Sequence, residues 1–85
     1  MAVTVHLPSM LRDKAPAEIV IEDPVHDVGG IRAVLERDYP ALAAALTDPI
    51  FNVAVNDVML LHGVQQYPVK DGDVVEIVPT VAGGK

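Results

Sequence analysis

The chain has 85 residues, of which 51% are hydrophobic and 21% charged, and a net charge of −6. This is one domain's worth of chain, with enough Val, Ile and Leu for one compact core and too many for a disordered segment. Its basic residues (Arg12, Lys14, Arg32, Arg37, Lys70, Lys85) are scattered, which argues against a nucleic-acid partner, and the absence of cysteine excludes disulfides, thiolate metal sites and thiol catalysis.

Val3, Val5 and Leu7 alternate with Thr4 and His6, the period of a half-buried strand, which Pro8 and Ser9 end. A polar turn, Arg12 to Ala17, leads to a second strand, Glu18 to Glu22, so the two are expected to form a hairpin. Asp23-Pro24 breaks that strand. Asp27 is placed as a helix N-cap, with Val28, Ile31, Val34 and Leu35 at helical spacing behind it. Gly29 and Gly30 cost the first turn about 1 kcal/mol each relative to Ala; a close approach of the helix start to the sheet is the expected compensation. Tyr39-Pro40 ends the helix, and Pro40 opens a second short one, Ala41 to Leu46.

Asp48-Pro49 marks a turn before a third strand, Ile50 to Val55, which Asn56-Asp57 closes. Val58 to Leu61 reads as a short strand or a bent apolar segment, mostly core. Gln65 to Lys70 is loop-like. Asp71-Gly72-Asp73 is a tight-turn signal leading into a last strand, Val74 to Val78, which Pro79 is expected to stop. One sheet with a helix on one face, an α+β domain, is the economical packing.

The longest apolar run, Ala41 to Leu46, is far short of the roughly 20 residues of a membrane helix. The N-terminus is a strand pattern and not a secretory signal. A cytoplasmic protein with no membrane partner is expected. His6, His26 and His62 lack ligand spacing and read as solvated or hydrogen-bonded, so no metal site is assigned. Asp71 and Asp73 are explained by their turn, and Ser9 lacks the setting of a nucleophile. Gly29-Gly30 is too short for a phosphate loop. Without a convergent acid, base and nucleophile, the chain is not expected to be an enzyme or to bind a cofactor.

The end of the chain, Val81-Ala82-Gly83-Gly84-Lys85, carries the functional signal. A glycine pair has no side chains, so a narrow channel in another protein admits its backbone and reaches its carbonyl carbon. The reading divides the chain into a folded unit, 1–79, and a flexible tail, 80–85. From Pro79 to Gly84 the extended backbone spans about 20 Å.

The element order, with Val55-Asn56, then Asp71-Gly72-Asp73-Val74, then Pro79-Thr80-Val81-Ala82-Gly83-Gly84, resembles the ThiS/MoaD family of ubiquitin-like sulfur carriers over nearly the whole chain. The segment Val3 to Arg12 is most similar to the branch that serves cysteine biosynthesis and related pathways. The resemblance implies a β-grasp fold: a mixed sheet whose last strand runs parallel beside the first, with one main helix packed on one face. It implies that an E1-like adenylyltransferase, using ATP and Mg2+, adenylates Gly84, and that a sulfur donor then displaces AMP to leave a thiocarboxylate. A biosynthetic enzyme is the implied sulfur acceptor. Pro79, Val81, Ala82 and Gly83 are the implied recognition residues, and a hydrophobic sheet face the implied docking surface.

Lys85 departs from the common family ending, because it leaves Gly84 with an amide and no free carboxylate. Some members with residues past the glycine pair are trimmed by a JAMM-type zinc metalloprotease, so the Gly84–Lys85 bond is the implied processing site. A terminus that never matures is the alternative. Two further classes stay open: a ubiquitin-like modifier conjugated through Gly84, and a non-catalytic interaction subunit with an inert tail.

Overall fold

A computed structural model describes residues 2–80. The elements in chain order are β1 (Val3–His6), β2 (Glu18–Ile21), α1 (Val28–Asp38), α2 (Pro40–Ala45), β3 (Phe51–Val55), β4 (Val58–Met59) and β5 (Val74–Pro79), with short 3-10 turns at Ser9–Leu11 and Val64–Gln66. The strands form one sheet in the order β2-β1-β5-β3-β4. β5 runs parallel to β1 and antiparallel to β3, so the last strand lies at the centre of a mixed sheet.

The alternation visible in β1 and β2 decides which side of the sheet is core. Val3 and Val5 pair with Ile21 and Ile19, and all four are buried together with Val75 and Ile77 of β5. α1 lies across this face through Val28, Ile31 and Leu35, spaced to share one side of the helix. The opposite face carries Thr4, His6, Glu18, Val20, Val74 and Glu76, and among the described residues no helix covers it. Burying Leu42 completely ties α2 to the same core.

The helix start forms as its sequence implies. The Asp27 side chain accepts a 2.8 Å hydrogen bond from the Gly30 N–H, and Pro40 occupies the first turn of α2 directly after the Tyr39 cap. The glycine pair serves a purpose other than the one expected. A Cβ on Gly29 would lie 3.1 Å from the Gln65 carbonyl oxygen, and one on Gly30 would lie 3.3 Å from Val25 Cβ. The close approach is thus to the Val64–Gln66 turn and to the loop before the helix, not to the sheet. Two backbone bonds lock that packing, Val28 N–H to the Tyr67 carbonyl and Val69 N–H to the His26 carbonyl.

Two other expectations need correction. Of Val58 to Leu61 only Leu60 is core; Val58, Met59 and Leu61 are exposed, Leu61 by 77%. Only two of these residues pair as a strand, at the edge of the sheet, so most of their side chains have nothing to pack against. Pro79, expected to stop the last strand, is its final residue, opposite Phe51 of β3. No helix among the described residues is long and apolar enough to cross a membrane.

Candidate functional site

β5 is the strand that leads to the C-terminal glycines, and its hydrogen-bond parity explains how it ends. Val74 and Ile50 give their carbonyls to the N–H groups of Asn56 and Thr80, respectively. In an antiparallel ladder such bonded pairs alternate with unbonded ones. Even-numbered residues of β5 therefore face β3, and odd-numbered ones point their backbone toward β1. Pro79 is odd, so its missing N–H removes nothing from the β3 ladder. Thr80, grouped with the tail in the sequence reading, is held to the sheet by its bond to Ile50 and by a second from Asn52 Nδ2 to its hydroxyl oxygen.

On the other side β5 loses its neighbour early. Thr4 N–H donates to the Asp73 carbonyl, so the even residues of β1 face β5, and the next after His6 is Pro8, which has no N–H. β1 ends there, and β5 continues paired with β3 but with no strand on its β1 side among the described residues. The space left is a groove of about 340 Å³ between Leu7, Pro8 and Arg12 on one side and Ile77, Val78 and Pro79 on the other, also lined by His6, Glu18 and Glu76. It adjoins the last residues of β5.

The register lays out the uncovered face in rows. Glu18, His6, Glu76, Ala54 and Met59 stand side by side across all five strands. Val20, Thr4 and Val74 form the next row. His6 Nε2 lies 3.5 Å from Glu18 Oε2, which makes His6 a half-exposed, paired side chain. The face is mixed, with valines and a methionine between carboxylates.

At the opposite end of β5 from the groove, a polar cluster anchors the start of the strand. Asn56 and Asp57 adopt positive φ, 49° and 70°, the geometry of a tight hairpin turn between β3 and β4. From that turn Asn56 donates through Nδ2 to Asp73 Oδ1 at 2.9 Å and accepts the Val74 N–H at Oδ1, also at 2.9 Å. Asp73 Oδ2 takes the Lys70 N–H at 2.9 Å. The hydrogen bond from Asn56, followed by that from the Lys70 backbone, holds the Asp73 carboxyl below the usual carboxylate range. Asp71 accepts from the Ala2 N–H at 2.6 Å. Both carboxylates thus have structural tasks, and Ser9 lies in a 3-10 turn.

Of the residues singled out from the sequence, the structure places Pro79 within β5. Val81, Ala82, Gly83, Gly84 and Lys85 lie outside the described residues. The Thr80 anchor and the buttress from Asn56 to Asp73 are not among the features the sequence alone points to. An asparagine in the middle of a strand, at position 52, was the available signal, since strands disfavour it.

A mixed sheet with a central parallel last strand, one helix across one face and a diglycine a few residues beyond that strand define a ubiquitin-like, β-grasp protein. The chain belongs to the ThiS family, whose model matches residues 5–84. It is 31% identical to the sulfur carrier protein CysO of Mycobacterium tuberculosis, over 99% of this chain and 100% of that protein. A chain of the crystal structure of the Amycolatopsis orientalis BexX/CysO complex superimposes with a TM-score of 0.80 at 35% identity, covering 98% of this chain and 100% of that one. The solution structure of small archaeal modifier protein 1 from Methanosarcina acetivorans superimposes with a TM-score of 0.77 at 26% identity, covering 98% and 96%.

Proposed function

We propose that this protein is a sulfur carrier and not a catalyst. Loss of Lys85 exposes the Gly84 carboxylate, an E1-like enzyme joins it to AMP from ATP with release of pyrophosphate, and a sulfur donor displaces AMP to leave a thiocarboxylate. That sulfur then passes to a biosynthetic acceptor. A JAMM-type zinc metalloprotease is the class of enzyme suited to removing Lys85, and Mg2+ belongs with ATP on the activating partner. The observation that carries this reading is membership of the ThiS family over residues 5–84 together with a central last strand, Val74–Pro79, that Gly83-Gly84 follow by a few residues in the chain.

A carboxylate becomes an electrophile only with a good leaving group, and the charge that develops in making one calls for cations. The described residues hold no cluster of His, Asp or Glu suited to a metal, and the two cations at this end, Arg12 and Lys14, are exposed side chains on a turn. The activating chemistry belongs to the partner. Because Thr80 is pinned, only four residues separate it from the far side of Gly84, at most about 14 Å when extended. A partner that reacts with Gly84 must therefore come close to the groove and to the uncovered sheet face.

The modifier reading remains the rival, favoured by the likeness to an archaeal modifier. Intact-mass spectrometry of the protein from its native cells separates the two. A carrier shows a chain ending at Gly84 with one oxygen replaced by sulfur; a modifier shows Gly84 joined to lysines of other proteins. Finding only the form that retains Lys85, in cells with the pathway active, refutes both.

A further inference from the structure

The sheet has two edges, and they differ. β4 contributes two residues and no charge. β2 contributes four, Glu18-Ile19-Val20-Ile21, and is followed directly by Glu22. The ladder between β1 and β2 has its parity set by the bond from Leu7 N–H to the Ala17 carbonyl. Ile19 and Ile21 then exchange bonds with β1, and the N–H and C=O groups of Glu18 and Val20 point away from the sheet. Among the described residues no hydrogen bond reaches those groups. Val20 is 54% exposed, and Glu18 and Glu22 stand exposed two residues to either side of it.

An open edge of this kind is a template for one more strand, and its charges decide which. A second copy added antiparallel about Val20 would set Glu18 of each chain against Glu22 of the other. Two like-charge pairs, between molecules that each carry a net charge of −6, disfavour that pairing. A strand with basic side chains at those two positions and an apolar one between them meets each carboxylate with an opposite charge and covers Val20.

We infer that the β2 edge is a docking site for an extended segment of a partner protein with the pattern basic-x-apolar-x-basic. This edge faces away from β5, although Glu18 also lines the groove beside the end of that strand. β1 lies between β2 and β5, so a strand added here leaves β5 free. The protein could then be held by one partner while another works on its terminus. The inference does not depend on the sulfur-carrier reading, and its test does not involve the tail.

The test is titration of the 15N-labelled full chain with a short peptide carrying lysines two residues to either side of a central valine, against a control with glutamates at those positions. The lysine peptide should shift the amide signals of Glu18 to Glu22 and their β1 neighbours and slow exchange of the Val20 amide; the control should not bind. In the double variant Glu18→Lys, Glu22→Lys the preference should invert, with the lysine peptide weakened about tenfold as both cross-strand charge pairs are reversed. Shifts elsewhere on the molecule, equal binding of the two peptides, or a dimer through β2 at sedimentation equilibrium would each overturn the proposal.

Discussion

Replacing Asp73 with alanine tests how the start of the tail-bearing strand is held. Asp73 is 7% exposed, and its carboxylate accepts from Asn56 Nδ2 and from the Lys70 N–H, each at 2.9 Å. Hydrogen bonds to a charged acceptor contribute about 1.5–3 kcal/mol each, and the change leaves both donors without it. Some water will reach the Lys70 loop, so the lower values apply, and Asp73→Ala should cost about 3 kcal/mol. That is a large part of the ~5–10 kcal/mol expected of so small a domain. With a urea slope of about 1 kcal/mol/M, the midpoint should fall by roughly 3 M. Asp73→Asn, which keeps one acceptor oxygen, should lose about half as much. The sign of the pH dependence follows from the lowered folded-state pKa. The stabilisation is complete above the unfolded-state value of about 3.9 and is lost as the pH falls through the lower folded value. The gap between wild type and Asp73→Ala should therefore be constant near neutrality and close under acid conditions. A loss under about 0.5 kcal/mol, within the range of ordinary surface changes, would refute the reasoning. So would a gap that persists unchanged at roughly pH 2.

Gly84→Val should abolish oxygen-to-sulfur exchange at the terminus while leaving the melting temperature unchanged, read by intact-mass spectrometry and calorimetry; unaltered pathway function would favour an inert tail. Asn52→Ala removes the side-chain bond to Thr80 and should cost no more than about 1 kcal/mol at this surface, yet speed amide exchange at Thr80. Gly72 has φ of +89° and open space around its Cα, so Gly72→Ala should destabilise by about 1–2 kcal/mol from backbone strain alone, measured by urea unfolding.

The elements that local sequence specifies were legible. Val3 and Val5 alternate, Asp27 caps, Pro40 starts a helix, and Asn56-Asp57 turns; each effect acts over a few residues. Pro79 misled because a proline's effect in a strand depends on which side its nitrogen faces, and that parity comes from β3, far away in sequence. Val58 to Leu61 misled for a related reason. Apolar character at an edge says nothing of what lies opposite. The glycine pair in α1 was noticed, but its neighbours Gln65 and Val25 were visible only in the fold.

The sequence by itself pointed to the class of protein through its resemblance to the ThiS/MoaD family, carried by Val55-Asn56, Asp71-Gly72-Asp73-Val74 and Pro79 to Gly84; its short-range strand, cap and turn signals were compatible with that class and did not establish it. Tertiary structure alone decided where β5 is pinned at Thr80, that Pro8 ends β1 and opens a groove beside it, and that β2 presents an unpaired edge flanked by carboxylates. Those features depend on hydrogen-bond parity between strands distant in sequence, and parity exists only once the strands are in register.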